Sequence, residues 1–147
     1  MYECQIITTT DMEYLVDLPT HTWNSSEQIY QYFKSDNEKW QNIIRSEKEP
    51  HKTKSLSRKL ITKEYELVEK WHKDYKNYIM RLALFLKFSQ NKELYEKLMN
   101  SNEELIEKNW WNDTYWGECQ GRGFNFLGKY LMEIRDFGLE KFEETLK

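Results

Sequence analysis

Histidine and cysteine are scarce in this chain, and each scarcity removes a class of chemistry. Three scattered His and no Cys-x-x-Cys leave nothing with the spacing of a structural zinc site, so no metal is expected. Cys4 and Cys119 are the only thiols. The Met-Tyr-Glu-Cys start has no export-signal character, so free thiols in a reducing cytoplasm are expected rather than a disulfide. Long apolar runs are missing too: the longest, near Met80 to Phe88, is broken by Arg81 and Lys87 and is far too short for a bilayer span, so no membrane is expected. Charge of one sign is also lacking. With 22 basic and 25 acidic side chains the net charge is −3, which supplies no global field for duplex nucleic acid or anionic lipid; any anion must be caught locally. There is no nucleophile elbow, and Cys119 has no neighbouring His. Gly121-Arg-Gly123 is too short for a dinucleotide fingerprint and follows no strand of a βαβ unit. No repeat, low-complexity tract or linker is present.

Aromatic residues are abundant instead. Six Trp, ten Tyr and seven Phe let a modest aliphatic content fill a core, and 147 residues suit a single domain over 1–147. Tyr2 to Val16, rich in Ile, Thr and Tyr, reads as a short hairpin ahead of Pro19. Ser25 and Ser26 offer N-caps to a helix reaching about Lys34, with Ile29, Tyr32 and Phe33 on one side and Glu27 in the first turn. Asn37 to Arg45 repeats the helical pattern through Trp40, Ile43 and Ile44, with Pro50 closing it. A basic stretch, Lys48 to Lys63, follows. Thr62 opens a long helical region in which Tyr65, Val68, Trp71, Tyr75, Tyr78, Ile79, Leu82 and Phe85 recur at steps of three and four, with a bend near His72 to Asp74. Asn91 to Met99 is a further helix and Leu105-Ile106 an extended piece. After Gly123 comes a last helix with Phe126, Leu127, Tyr130, Leu131 and Ile134 on one face. The fold class is therefore mainly α, one multihelical domain with a short N-terminal β-hairpin.

Asn109 to Asn125 packs Trp, Gly, Asn and carboxylates into one long connection between helices, and long connections tend to carry function. Gly117, Gly121 and Gly123 permit positive φ or close approach to backbone, and the helix beyond points its first N–H groups at the loop, an arrangement suited to an anionic or sugar-bearing ligand. Trp110 by itself reads as a core anchor. Cleaving a glycosidic bond calls for carboxylates, because the oxocarbenium-like transition state needs negative charge, an activated water or acid help for the leaving group. Glu27, Glu107 and Asp113 are the candidates, each among aromatic or apolar residues rather than in a charge run. Taken singly, each fits a helix-terminus or loop hydrogen-bond acceptor better than a catalyst. Lys52, Lys54, Arg58, Lys59 and Lys63 offer phosphate contacts, Arg58 foremost, or an ordinary solvated surface.

Leu105, Ile106, Glu107, Asn109, Trp111, Asp113, Trp116, Gly117, Gly123, Asn125, Leu127, Gly128, Leu131, Met132 and Arg135 follow, in order, the C-terminal signature of the NADAR (YbiA-like) family. Trp23-Asn-Ser-Ser-Glu27 through Tyr32-Phe-Lys34 resembles that family's Ser-x-Glu helix with its following Lys. Ser57-Arg58, Trp71, Met80 and Lys87-Phe88 match further upstream positions, and the Met1-Tyr2-x-Cys4-x-Ile6 start resembles the family's opening, so the resemblance covers nearly the whole chain. Departures are Lys108 where Gly is common, Gln28 where His is frequent, and a Leu-Ser-Asn-like lead expected just ahead of Met1 and missing. The resemblance implies an N-glycosidase that cuts between ribose and a nitrogenous base, in a riboflavin-pathway intermediate or in ADP-ribose joined to guanine. The implied partners are an ADP-ribose-type or ribosyl-pyrimidine phosphate substrate and ADP-ribosylated nucleic acid, with no cofactor. Carried onto matching positions, Glu27 is the catalytic carboxylate, with Asp113 and Glu107 orienting water or ribose hydroxyls. Trp71 and Trp116 stack on base or ribose beside Gly117, and Lys34, Arg58 and Asn125 hold phosphate and sugar. A nucleotide-binding module without catalysis and a helical interaction protein are the alternatives.

Overall fold

The computed structural model describes residues 23–61 and 65–147. The expected hairpin at Tyr2 to Val16, Cys4, and the expected helix start at Thr62 lie outside them. The described residues form seven α-helices, one 3-10 turn and a two-stranded sheet, a mainly α fold. The chain divides between Gln90 and Asn91 into two compact units.

In the first unit, α1 (Ser26–Tyr32) starts where the sequence says it should. Ser25 is extended, and its Oγ accepts from the Gln28 N–H at 3.1 Å as an N-cap. Every residue of α1 is buried, which removes the solvent face that a short polar-rich helix ordinarily keeps. The covering elements are α2 (Glu38–Ser46), α3 (Pro50–Ile61) and α4 (Tyr75–Gln90). Gln28 explains one of the sequence departures. Its Nε2 faces the carbonyls of Ile44, Arg45 and Glu47 at 3.2, 3.0 and 2.9 Å, while its Oε1 accepts from the Asn24 N–H at 2.8 Å. One side-chain amide thus serves carbonyls at and just beyond the end of α2, where intrahelical donors run out. The aromatic core follows from the same packing: Trp23 and Trp40 are fully buried, Trp23 meets Tyr32 edge-on at 4.9 Å, and the Trp40 indole N–H donates to the Gln31 carbonyl at 2.9 Å.

Two boundaries differ from expectation. Pro50 does not close α2, which ends at Ser46; it opens α3, where a missing N–H costs nothing and the fixed φ is already helical. The expected long helical region is not continuous over its described residues. Tyr65 to Val68 carry no helix, a 3-10 turn covers Glu69–His72, and α4 starts only at Tyr75. The reason is tertiary: the Val68 N–H donates to the Lys34 carbonyl at 2.8 Å, which ties this segment to the end of α1 in place of an i−4 partner. The expected bend near His72 to Asp74 is the turn between the two helical pieces. Residues 82–88 of α4 are buried without interruption, Lys87 included at 0% exposure.

The second unit holds α5 (Lys92–Met99), β1 (Lys108–Asn109), β2 (Glu118–Cys119), α6 (Phe126–Phe137) and α7 (Leu139–Glu144). β1 and β2 pair in parallel, Lys108 with Glu118 and Asn109 with Cys119. Leu127, Leu131 and Ile134 form the buried stripe of α6, as their spacing predicts. Arg135 braces this helix to the segment before β1, its Nη1 donating to the Glu103 carbonyl at 2.7 Å and to the Ser101 Oγ at 3.2 Å.

Candidate active site

In the 109–125 loop the side chains of Asn109, Asp113 and Asn125 are spent on backbone groups of the loop and of the segment just before it. Asn109 and Asp113 are joined twice, by Asp113 N–H to Asn109 Oδ1 at 2.9 Å and Asn109 Nδ2 to the Asp113 carbonyl at 2.8 Å. Asp113 Oδ1 then accepts from the N–H groups of Tyr115 and Trp116 at 3.1 and 2.9 Å, an Asx-type turn. Asn125, 4% exposed and left-handed at φ 53°, accepts from the Glu107 N–H at 3.0 Å and donates to the Leu105 carbonyl at 2.9 Å. Gly117 is needed because a Cβ there would collide with the Glu107 carbonyl oxygen, against which Glu118 makes its backbone bond. The expectation that the start of α6 offers free N–H groups does not hold: Phe126 and Leu127 donate to the carbonyls of Tyr115 and Trp116 at 3.2 and 3.0 Å. Trp116 is 8% exposed and enclosed by Tyr115, Phe126 and Tyr130. Trp110 is no core anchor. It is 87% exposed, beside Trp111 at 46%.

The first unit behaves differently. Glu27, 5% exposed, Gln31, 2% exposed, and Lys34 recur at four- and three-residue steps along α1 and its end, so they share one side of it. Gln31 Nε2 donates to Glu27 Oε1 at 2.6 Å, a charge-assisted bond. The Lys34 ammonium lies 5.1 Å from the centre of the Tyr30 ring and 5.9 Å from that of Trp71, and those two rings are 5.0 Å apart. Burial pushes the Lys34 ammonium down from 10.5 to about 8; the Glu27 carboxylate opposes the shift, while Lys54, Arg58 and Lys76 add to it. The Lys34 ammonium at the end of α1 thus feels one carboxylate, Glu27, and three further cations carried by α3 and α4. Two buried polar atoms, Gln31 Oε1 and Ser57 Oγ, have no hydrogen-bond partner among the described residues.

Of the expected site residues, Glu27, Lys34, Arg58 and Trp71 come together in the first unit. Glu107, Asp113, Trp116, Gly117 and Asn125 come together in the second. Trp71 is 2% exposed between Tyr30 and Tyr75, so a ligand stacking on it needs a face that neighbouring rings now occupy. Sequence reasoning missed Gln31, Tyr30 and Lys76. The step of four from Glu27 to Gln31 was a usable signal; Lys76, the second residue of α4, gave none. The described residues hold no cluster of three or more His, Cys, Asp or Glu suited to a metal. No helix among them is long and apolar enough to cross a membrane.

The first unit thus seats a buried carboxylate beside a buried amide, with Lys34 lying over two aromatic rings at the end of the same helix. The NADAR domain matches over residues 1–137, and the chain belongs to that family. It is 34% identical over 119 residues to N-glycosidase YbiA of Escherichia coli K12, covering 78% of this chain and 70% of the relative. The NMR structure of E. coli YbiA superposes with a TM-score of 0.72 at 32% identity, covering 97% of this chain and 76% of that one. A riboflavin biosynthesis protein of Vibrio vulnificus is 30% identical over 117 residues, 78% of this chain and 30% of that protein.

Proposed function

We propose that this chain is an N-glycosidase that hydrolyses the bond between a ribose and a nitrogenous base in a phosphate-bearing substrate. The observation that carries this reading is the buried Glu27 carboxylate, held by Gln31 on the same side of α1 as Lys34, whose ammonium also feels Lys54, Arg58 and Lys76. The cations bind the substrate phosphate, and an entering anion relieves their mutual repulsion. Glu27 takes a proton from water as its oxygen attacks C1′, the C1′–N bond breaks, and the base leaves with the bonding pair. Negative charge at Glu27 also stabilises the oxocarbenium-like transition state. Two substrate classes fit: ADP-ribose joined to guanine, free or on nucleic acid, and a ribosyl-pyrimidine phosphate of the riboflavin pathway, the class suggested by the name of the Vibrio relative. Asp113 and Glu107 remain supporting candidates for orienting water or ribose hydroxyls.

Incubation with ADP-ribosylated guanosine nucleotide, ADP-ribosylated DNA and the ribosyl-pyrimidine phosphate, followed by mass spectrometry of the released base, tests the reading. Release from at least one substrate, lost in Glu27→Gln, is expected. Tight ADP-ribose binding by calorimetry with no released base from any substrate would instead identify a non-catalytic binding module.

A further inference from the structure

We propose that Gln31 is the positioning residue of this site, its amide N–H fixing the Glu27 carboxylate and its carbonyl oxygen taking a hydrogen bond from a hydroxyl of the bound sugar. The inference rests on the reading of Glu27 as the group that acts on water.

Three observations converge on Gln31. Its backbone is fixed, because the Gln31 carbonyl accepts from the fully buried Trp40 indole at 2.9 Å. Its Nε2 reaches Glu27 Oε1 at 2.6 Å, while no hydrogen bond reaches Glu27 Oε2 among the described residues, so one carboxylate oxygen is anchored and the other is left for water. Its Oε1, across the same amide from that bond, is buried and unpartnered. A buried amide acceptor without a partner is rare and unfavourable in the free protein, and a sugar hydroxyl placed against it removes that penalty on binding. A purely structural Gln would have both ends of its amide satisfied, as Gln28 has in the same helix.

The test compares Gln31→Met, Gln31→Glu and Glu27→Gln in the full chain, with ADP-ribosylated guanosine nucleotide as the turnover probe. Gln31→Met, close in volume and free of polar atoms, is expected to keep its Tm within a few degrees, lose about 10- to 100-fold in kcat through a mispositioned carboxylate, and raise KM. Gln31→Glu keeps the shape and the acceptor but places two carboxylates at hydrogen-bond distance. Such a pair shares a proton, so the acid limb of the kcat/KM profile should move up by about one pH unit. NMR titration of the pair in the free variant should show the same displacement without substrate. Wild-type kcat in Gln31→Met together with an unmoved titration in Gln31→Glu overturns the inference. If Glu27→Gln is inactive while both Gln31 variants behave as wild type, only the role of Gln31 falls. If Glu27→Gln retains full activity, the catalytic reading falls and takes this role with it.

Discussion

The 109–125 loop and helix α1 carry similar polar residues and use them in opposite ways. In the loop, Asn109, Asp113 and Asn125 are turned inward on backbone groups, and Gly117 lies where only a missing Cβ lets two segments meet. At α1, Glu27 is held by one partner, Gln31 keeps an acceptor unmet, and the half-buried Lys34 at the helix end has its ammonium pKa pushed down to about 8 by desolvation. A dense motif marks a demanding backbone as readily as a reactive site. A polar group that is buried and incompletely satisfied is the more discriminating sign of ligand chemistry, because the fold alone gives no return for it.

The largest effect that would sharpen this contrast is at Glu27. Glu27→Gln keeps the shape and should lower kcat about 1000-fold, in the range of a lost acid–base group, with little change in thermal midpoint. Gly117→Ala should do the reverse. Its new methyl meets the Glu107 carbonyl, so a destabilisation of about 1–3 kcal/mol is expected by denaturant unfolding, and any protein that folds should retain its kcat. A stable Gly117→Ala with normal unfolding would break the structural reading of the loop.

Lys34→Met should separate stability from binding. Because the folded-state value of Lys34 is near 8 and the unfolded one is 10.5, the unfolded chain binds more protons between those limits. Its destabilising contribution is therefore fully present below about pH 8 and fades as pH rises towards 10.5. Lys34→Met is thus expected to melt a few degrees higher than wild type at pH 7, an advantage that shrinks to nothing near pH 10.5, while inorganic phosphate binding weakens. In the wild type, phosphate affinity should fall as pH rises through 8. The smallest effect belongs to Trp110→Ser: at 87% exposure its stability change should stay within about 0.5 kcal/mol.

Much of this was legible in the sequence where the signal is local. Ser25 and Asn37 announce α1 and α2 because a cap is a short-range hydrogen bond. The buried stripe of α6 follows from spacing alone. Pro50 was misplaced because the same residue ends one helix and begins another with equal ease. Tyr65 to Val68 misled because Tyr65, Val68 and Trp71 have helical spacing while their hydrogen bonding is settled by Lys34, a residue far back in the chain. Trp110 misled because hydrophobicity says what burial would gain and not whether the turn allows it. At the site, Glu27 and Arg58 were candidates from the residues themselves, while Lys34 and Trp71 were reached through family resemblance; Gln31 needed the structure, since an unmet acceptor is invisible until its surroundings are known.

The most direct measurement sets Glu27→Gln against Asp113→Asn in one assay, following released base from ADP-ribosylated guanosine nucleotide by mass spectrometry at matched folded protein. Asparagine keeps the oxygen that accepts from Tyr115 and Trp116, so Asp113→Asn should fold normally and lose no more than about 10-fold, while Glu27→Gln loses about 1000-fold. Near-normal turnover in Glu27→Gln with abolished turnover in Asp113→Asn would place the chemistry in the loop and contradict the assignment to α1.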